Sequence, residues 1–206
     1  MKLTEDLFID FNTANFKRRC AAHHIYGEFV VRAVGAKPNQ PLLVVDATAG
    51  LGRESFLLAG AGCSVISLER SLELYTALQS GLARAQQQPE SAEIVQRIQL
   101  ICVDAREWLA ATEIIPDVIY LDPMFPERRK SALVKKEMRL LHQLVGTDAD
   151  ADQLLRCALR KAKKRVVVKR PSGAPQLADL IPQGCIEGKR CRYDLYSPEK
   201  LIHSNK

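Results

Sequence analysis

Apolar residues along the chain fall into short continuous runs. Between them lie longer stretches in which apolar positions recur every third or fourth residue. The runs at 42–45, 64–68, 98–103, 118–121 and 165–168 predict five strands, and their lack of polar alternation fits strands buried on both faces. The stretches at 53–59, 72–87, 105–111, 131–145 and 151–163 predict helices, so strand and helix alternate as in a parallel α/β sheet. After the fifth strand the pattern changes. Cys185-Ile186-Glu187 and Arg192-Tyr193-Asp194-Leu195-Tyr196 flank Gly188-Lys189 and predict an antiparallel hairpin. Upstream of the first strand, residues 8–11 read as a short strand and 28–34 as a helix stopped by Gly35.

Five parallel strands closed by an antiparallel pair make a seven-stranded mixed sheet. That is the layout of the class I, Rossmann-like methyltransferase fold, whereas a plain dinucleotide-binding fold would usually add a sixth parallel strand. One domain is expected over residues 1–206, with 1–40 as an N-terminal extension and 41–200 as the catalytic core.

The loop after the first strand, Asp46-Ala47-Thr48-Ala49-Gly50-Leu51-Gly52-Arg53-Glu54, sits where open α/β sheets bind ligands. Gly50 and Gly52 let the backbone pass close to a ligand. A dinucleotide loop would carry a third glycine at 55, but that residue is Ser55. An acidic residue at the strand end, Asp46, can instead meet the amino group of a methionine moiety, so the loop suits S-adenosylmethionine better than NAD. Glu69 ends the second strand and can accept hydrogen bonds from ribose hydroxyls. Asp104, after the third strand, is placed either to take an adenine amino group or to cap the helix that follows.

Asp122-Pro123-Met124-Phe125-Pro126 follows the fourth strand. An arylamine is a poor nucleophile because its lone pair is delocalised into the ring. Asp122 can orient such an amine and stabilise the charge that develops on it, while Phe125 can stack on the base. Arg128, Arg129, Lys130, Lys135 and Lys136 follow at once, and Lys169 and Arg170 end the fifth strand, so all are candidates for gripping the phosphates around an extruded base. A net charge of +6 is compatible with a polyanionic partner.

Other classes recede. Charged residues interrupt every apolar run before it could cross a bilayer, and acidic residues stand where a signal peptide would be apolar, which points to the cytoplasm. The six cysteines form no Cys-x-x-Cys pair, His23-His24 has no matching ligand cluster, and the Asp148–Asp152 carboxylates lack the glycine of a calcium loop, so no metal is expected. The alternatives kept open are an amino-methyltransferase acting on DNA adenine or protein glutamine, and a noncatalytic RNA-binding assembly factor of the same fold.

These motifs, together with Leu68-Glu69-Arg70, the stretch from Lys130 to Arg139 and Lys164-Arg165-Val166-Val167-Val168-Lys169-Arg170-Pro171, closely resemble the bacterial RsmJ family. The resemblance runs from about Phe8 to Tyr196. It implies methylation of the N2 amine of a guanosine in small-subunit ribosomal RNA, with S-adenosylmethionine as cofactor. It also implies cofactor contacts at Arg53, Glu54, Glu69, Arg70, Asp104, Ala105 and Asp122. Asp104-Ala105 departs from the small hydroxyl residues the family often carries there.

Overall fold

The computed structural model describes residues 7–124 and 150–199. Its centre is one seven-stranded sheet in the order β3-β2-β1-β4-β5-β7-β6. β1 (Leu43–Asp46), β2 (Ser64–Glu69), β3 (Ile98–Cys102), β4 (Val118–Leu121) and β5 (Arg165–Pro171) run parallel; β7 (Cys191–Tyr196) is antiparallel to β5, and β6 (Gly184–Glu187) to β7. Both the expected mixed sheet and its closing hairpin are present. β5 continues three residues past the apolar run because β7 pairs with it as far as Pro171 opposite Cys191.

Successive strand side chains point to opposite faces, and the core divides accordingly. Val44, Val65, Val118, Tyr120 and Val167 meet one helical layer. It comprises α1 (Ala14–Cys20), α3 (Phe29–Val34), α4 (Arg53–Gly60) and α5 (Leu72–Gln86), with the single-turn α2 (Ala22–Ile25) between α1 and α3. Val45, Ile66, Ile119, Leu121, Val166 and Val168 meet the other layer, α7 (Ala105–Ala111) and α8 (Ala151–Lys161). β1, β4 and β5 are buried on both faces, whereas β3 forms an edge and exposes Gln99 and Cys102.

Two local expectations change. Residues 8–11 join no strand among the described residues. Their side chains alternate as a strand's would, but Phe11 stacks on Phe56 at 4.4 Å and Arg84 donates to the Ile9 carbonyl at 2.7 Å. The segment therefore lies across the helices rather than along a sheet edge. The helix α6 (Pro89–Val95) was not expected: its sequence is short and polar, and its one strong signal is Pro89 in the first helical turn. The helix over 28–34 is confirmed, with Gly35 closing it at φ 77°. The expected helix at 131–145 lies outside the described residues.

Sheet order reverses between β1 and β4, which are neighbours although two strands separate them in sequence. Asp46 and Asp122 thus emerge side by side at the carboxyl edge, at the kind of switch point where open sheets bind ligands.

Candidate active site

The loop after β1 is folded by its own polar groups. Gly50 (φ 52°) and Gly52 (φ 68°) both take left-handed backbone. A Cβ on Gly52 would stand 2.4 Å from Leu78 Cδ1, so the buried Leu78 side chain would have to shift to admit one. A Cβ on Gly50 would meet nothing closer than the Thr48 carbonyl at 3.8 Å. The space beside Gly50 is open, as a loop approached by a ligand requires.

Asp46 is turned inward. Ser55 Oγ donates to its Oδ2 at 2.5 Å, the Thr48 N–H to its Oδ1 at 3.2 Å, and Ser67 Oγ to Ser55 Oγ at 2.8 Å. Burial pushes the Asp46 carboxyl up to about 7, against the pull of the Ser55 hydrogen bond. The residue expected to meet the cofactor's amino group therefore shapes the loop from beneath. Glu69 does similar work from β2: its carboxylate accepts from Gly50 N–H at 2.9 Å and Ser71 N–H at 2.8 Å.

The end of β4 is tied to the same loop. The Asp122 N–H donates to Thr48 Oγ1 at 2.6 Å. The Asp122 carboxylate meets Lys169 Nζ at 2.7 Å, and the same ammonium meets Glu54 at 2.8 Å. Burial alone would lower the Lys169 pKa, but the two carboxylates outweigh it and raise the value. Burial likewise pushes the Glu54 carboxyl up, and Lys169, with Arg19 behind it, outweighs that and holds it below the usual range. Tyr120 lies under this group with its hydroxyl buried and without a hydrogen-bond partner among the described residues; burial raises its pKa well above the ordinary phenol value.

A second ionic group stands at the β2 and β3 ends. Asp104 caps α7 by accepting from the Arg106 N–H at 2.8 Å, and its two oxygens are bridged by the Arg106 guanidinium at 3.1 and 2.8 Å. Those bonds, led by the one from the Arg106 side chain, lower the Asp104 pKa. The Arg106 guanidinium also reaches Asp150 at 2.9 Å, and Arg70 reaches the same carboxylate at 3.0 Å.

Of the residues singled out from sequence, the fold brings Asp46, Gly50, Gly52, Glu54, Glu69, Asp104 and Asp122 to one edge. Arg53 and buried Ala105 begin α4 and α7 there. Two of the cations expected to grip RNA are engaged internally: Lys169 is held between two carboxylates, and buried Arg170 donates to the Pro175 carbonyl. Phe125, Arg128, Arg129, Lys130, Lys135 and Lys136 lie outside the described residues. Thr48, Ser67, Arg106 and Asp150 were missed, and only Ser55, standing where a dinucleotide loop would have glycine, carried a signal.

A family model for SAM-dependent methyltransferases matches residues 2–198. A ribosomal RNA small subunit methyltransferase J from Cellvibrio japonicus is 50% identical over 182 residues, covering 85% of this chain and 68% of that protein. The protein of the same name from Pseudoalteromonas atlantica is 53% identical over 175 residues, covering 82% and 68%. The chain belongs to this methyltransferase family. A crystal structure of a SAM-dependent methyltransferase from Neisseria gonorrhoeae superposes with a TM-score of 0.75 at 36% identity, covering 97% of this chain and 77% of that one. The enzyme is thus a SAM-dependent methyltransferase of the class I fold. The site fits its cofactor: the space at Gly50 is open, and acidic side chains stand at the ends of four adjacent parallel strands. No helix among the described residues is long and apolar enough to cross a membrane.

Proposed function

We propose that this methyltransferase modifies the N2 amine of a guanosine in small-subunit ribosomal RNA, with Asp122 as the group that holds the amine. The name carried by its relatives supports the RNA, and the Asp122–Lys169 pair supports the chemistry. Guanine presents two donors side by side, N1–H and N2–H, which match the two oxygens of a carboxylate. Adenine presents a donor beside an acceptor, which an amide matches better. The Lys169 ammonium beside it favours the carboxylate form of Asp122, the form that accepts hydrogen bonds. By accepting an N–H, Asp122 turns the amine toward the methyl donor and offsets the positive charge that grows on nitrogen during transfer. The proton on the alkylated nitrogen is acidic and leaves readily, so no strong base is needed.

When bound, S-adenosylmethionine supplies a methyl group already activated on a sulfonium. Gly50, Gly52, Arg53, Glu54, Glu69, Arg70, Asp104, Ala105 and Asp122 form the cofactor side of the site in this reading. Asp46 belongs to it through the loop that it braces. Phe125 stacks on the base, and Arg128, Arg129, Lys130, Lys135 and Lys136 hold the RNA. Residues 1–206 act as one domain, and the enzyme works in the cytoplasm, where its RNA is.

The test is methyl transfer from labelled S-adenosylmethionine to undermethylated small ribosomal subunits, followed by nucleoside analysis. N2-methylguanosine is expected with the wild type, and Asp122→Ala should reduce its rate of formation by about 10²-fold or more. Cofactor binding without any label in RNA would refute the reading.

A further inference from the structure

We propose that the cleft between α1 and α2 is a phosphate-binding subsite for the RNA strand beside the target base; this rests on the RNA reading above. The cleft has a volume of about 360 Å³ and is lined by Arg18, Arg19, His24, Gly27 and Glu28. Two chains of contact lead from it toward the reaction centre. Glu28 leads into Phe29, whose ring stacks on Tyr193 at 6.3 Å, and Tyr193 lies opposite Lys169 in the β5–β7 ladder. Arg19 lies close enough to Glu54 for each to move the other's pKa. A strand seated in the cleft therefore leads toward Asp122.

The chemistry of the lining selects the ligand. Arg19 is committed to Glu28 through two hydrogen bonds of 2.9 and 2.7 Å, which join the two sides of the cleft and use up its one carboxylate. Lys17 pairs with Glu90 at the surface. Arg18 is different. It is exposed, its guanidinium donates to the Asn15 side chain at 3.2 Å, and no carboxylate pairs with it among the described residues. His23 and His24 are exposed beside it, their rings 4.2 Å apart.

What remains on offer in the lining is the Arg18 guanidinium fork and the His24 imidazole, with no carboxylate left over, and the fork suits a phosphate. Next to Glu28 in the chain, Phe29 is 37% exposed and carries the Arg32 guanidinium 5.8 Å from its ring centre, a further positive charge on this side of the molecule. Lys169 and Arg170 are engaged internally, whereas Arg18 presents its guanidinium at the surface.

The experiment uses the full chain and compares wild type with Arg18→Glu, Arg18→Lys and Arg18→Glu/His24→Glu. Methyl transfer to undermethylated subunits gives KM, and binding to naked small-subunit RNA is followed across a salt series. Calorimetric cofactor affinity, expected to be unchanged, reports an intact fold. Arg18→Glu should raise KM about tenfold and make the slope of log affinity against log salt shallower by roughly 0.7–0.9 for each phosphate no longer neutralised. Arg18→Lys should keep most of the affinity, and the double variant should bind more weakly still. Wild-type KM and salt slope in Arg18→Glu would overturn the proposal. Weakening confined to assembled subunits, with naked-RNA affinity unchanged, would overturn it too, because the cleft would then be meeting protein. Failure of the wild type to methylate RNA counts against the parent reading instead, while RNA affinity compared between wild type and variants still decides the cleft.

Discussion

Lys169→Met would remove the cation that Glu54 and Asp122 share among the described residues and set an apolar methionine between the two carboxylates. Breaking a fully buried pair from one side costs about 3–5 kcal/mol. Here the three side chains keep 23, 24 and 34% of their exposure, so solvent screening brings the expected loss to about 1–3 kcal/mol. The pH dependence is more telling than the size. In the wild type the Glu54 carboxyl is held below its ordinary value, so it stabilises the fold above the unfolded carboxylate range, and that stability is lost as pH falls. In the variant the two acids repel, one is driven to hold a proton, and its folded pKa rises above the unfolded value. The wild type should therefore lead most at pH 7–8, and the gap should close toward about pH 4. Urea unfolding of both proteins between pH 4 and 8 measures it. Glu54→Gln added to Lys169→Met should restore part of the loss at neutral pH. A gap that stays constant with pH, or below about 0.5 kcal/mol throughout, would refute the reasoning.

Gly52→Ala combines left-handed backbone with a Cβ 2.4 Å from Leu78. Strain and overpacking together should cost about 2–5 kcal/mol, seen as a thermal midpoint lowered by roughly 5–15 °C, and a midpoint within about 2 °C of wild type would contradict the packing argument. Asp46 works in the opposite sense to Glu54. Its folded pKa, raised by burial to about 7, means that the native state holds a proton the unfolded chain releases, so its contribution falls as pH rises from about 4 to 7. Asp46→Asn should remove that slope, so unfolding midpoints at pH 4.5 and 7.5 should move apart in the wild type relative to the variant.

The sheet was legible because strand burial is written locally, in runs such as Val118-Ile119-Tyr120-Leu121, all fully buried. The loop and the acidic strand ends were legible for a similar reason, since topology alone carries residues at the ends of parallel strands to one edge. The partners of those residues were not. Lys169 looked like a surface cation because the polar Lys169-Arg170-Pro171 end of β5 gives no hint that β7 pairs with it and buries it. Arg106 sits only two residues from Asp104, but the same guanidinium also holds Asp150, which reaches it from another part of the chain. The stretch at 8–11 shows the converse error: its alternation was real, but alternation does not say whether the surface it meets is a strand or a helix.

The hydroxyl chain beneath the loop also constrains how this protein can vary. Ser55 gives its proton to Asp46 and receives one from Ser67, so a change at any of the three leaves a buried polar atom unanswered. Glycine at 55, the residue a nucleotide-binding loop would have there, would take the Ser55 hydrogen bond from one oxygen of Asp46 and the acceptor from the Ser67 hydroxyl in one step. The positions 46, 55 and 67 should therefore drift through the family as a unit, with apolar or small residues at 55 found only where 46 has ceased to be acidic.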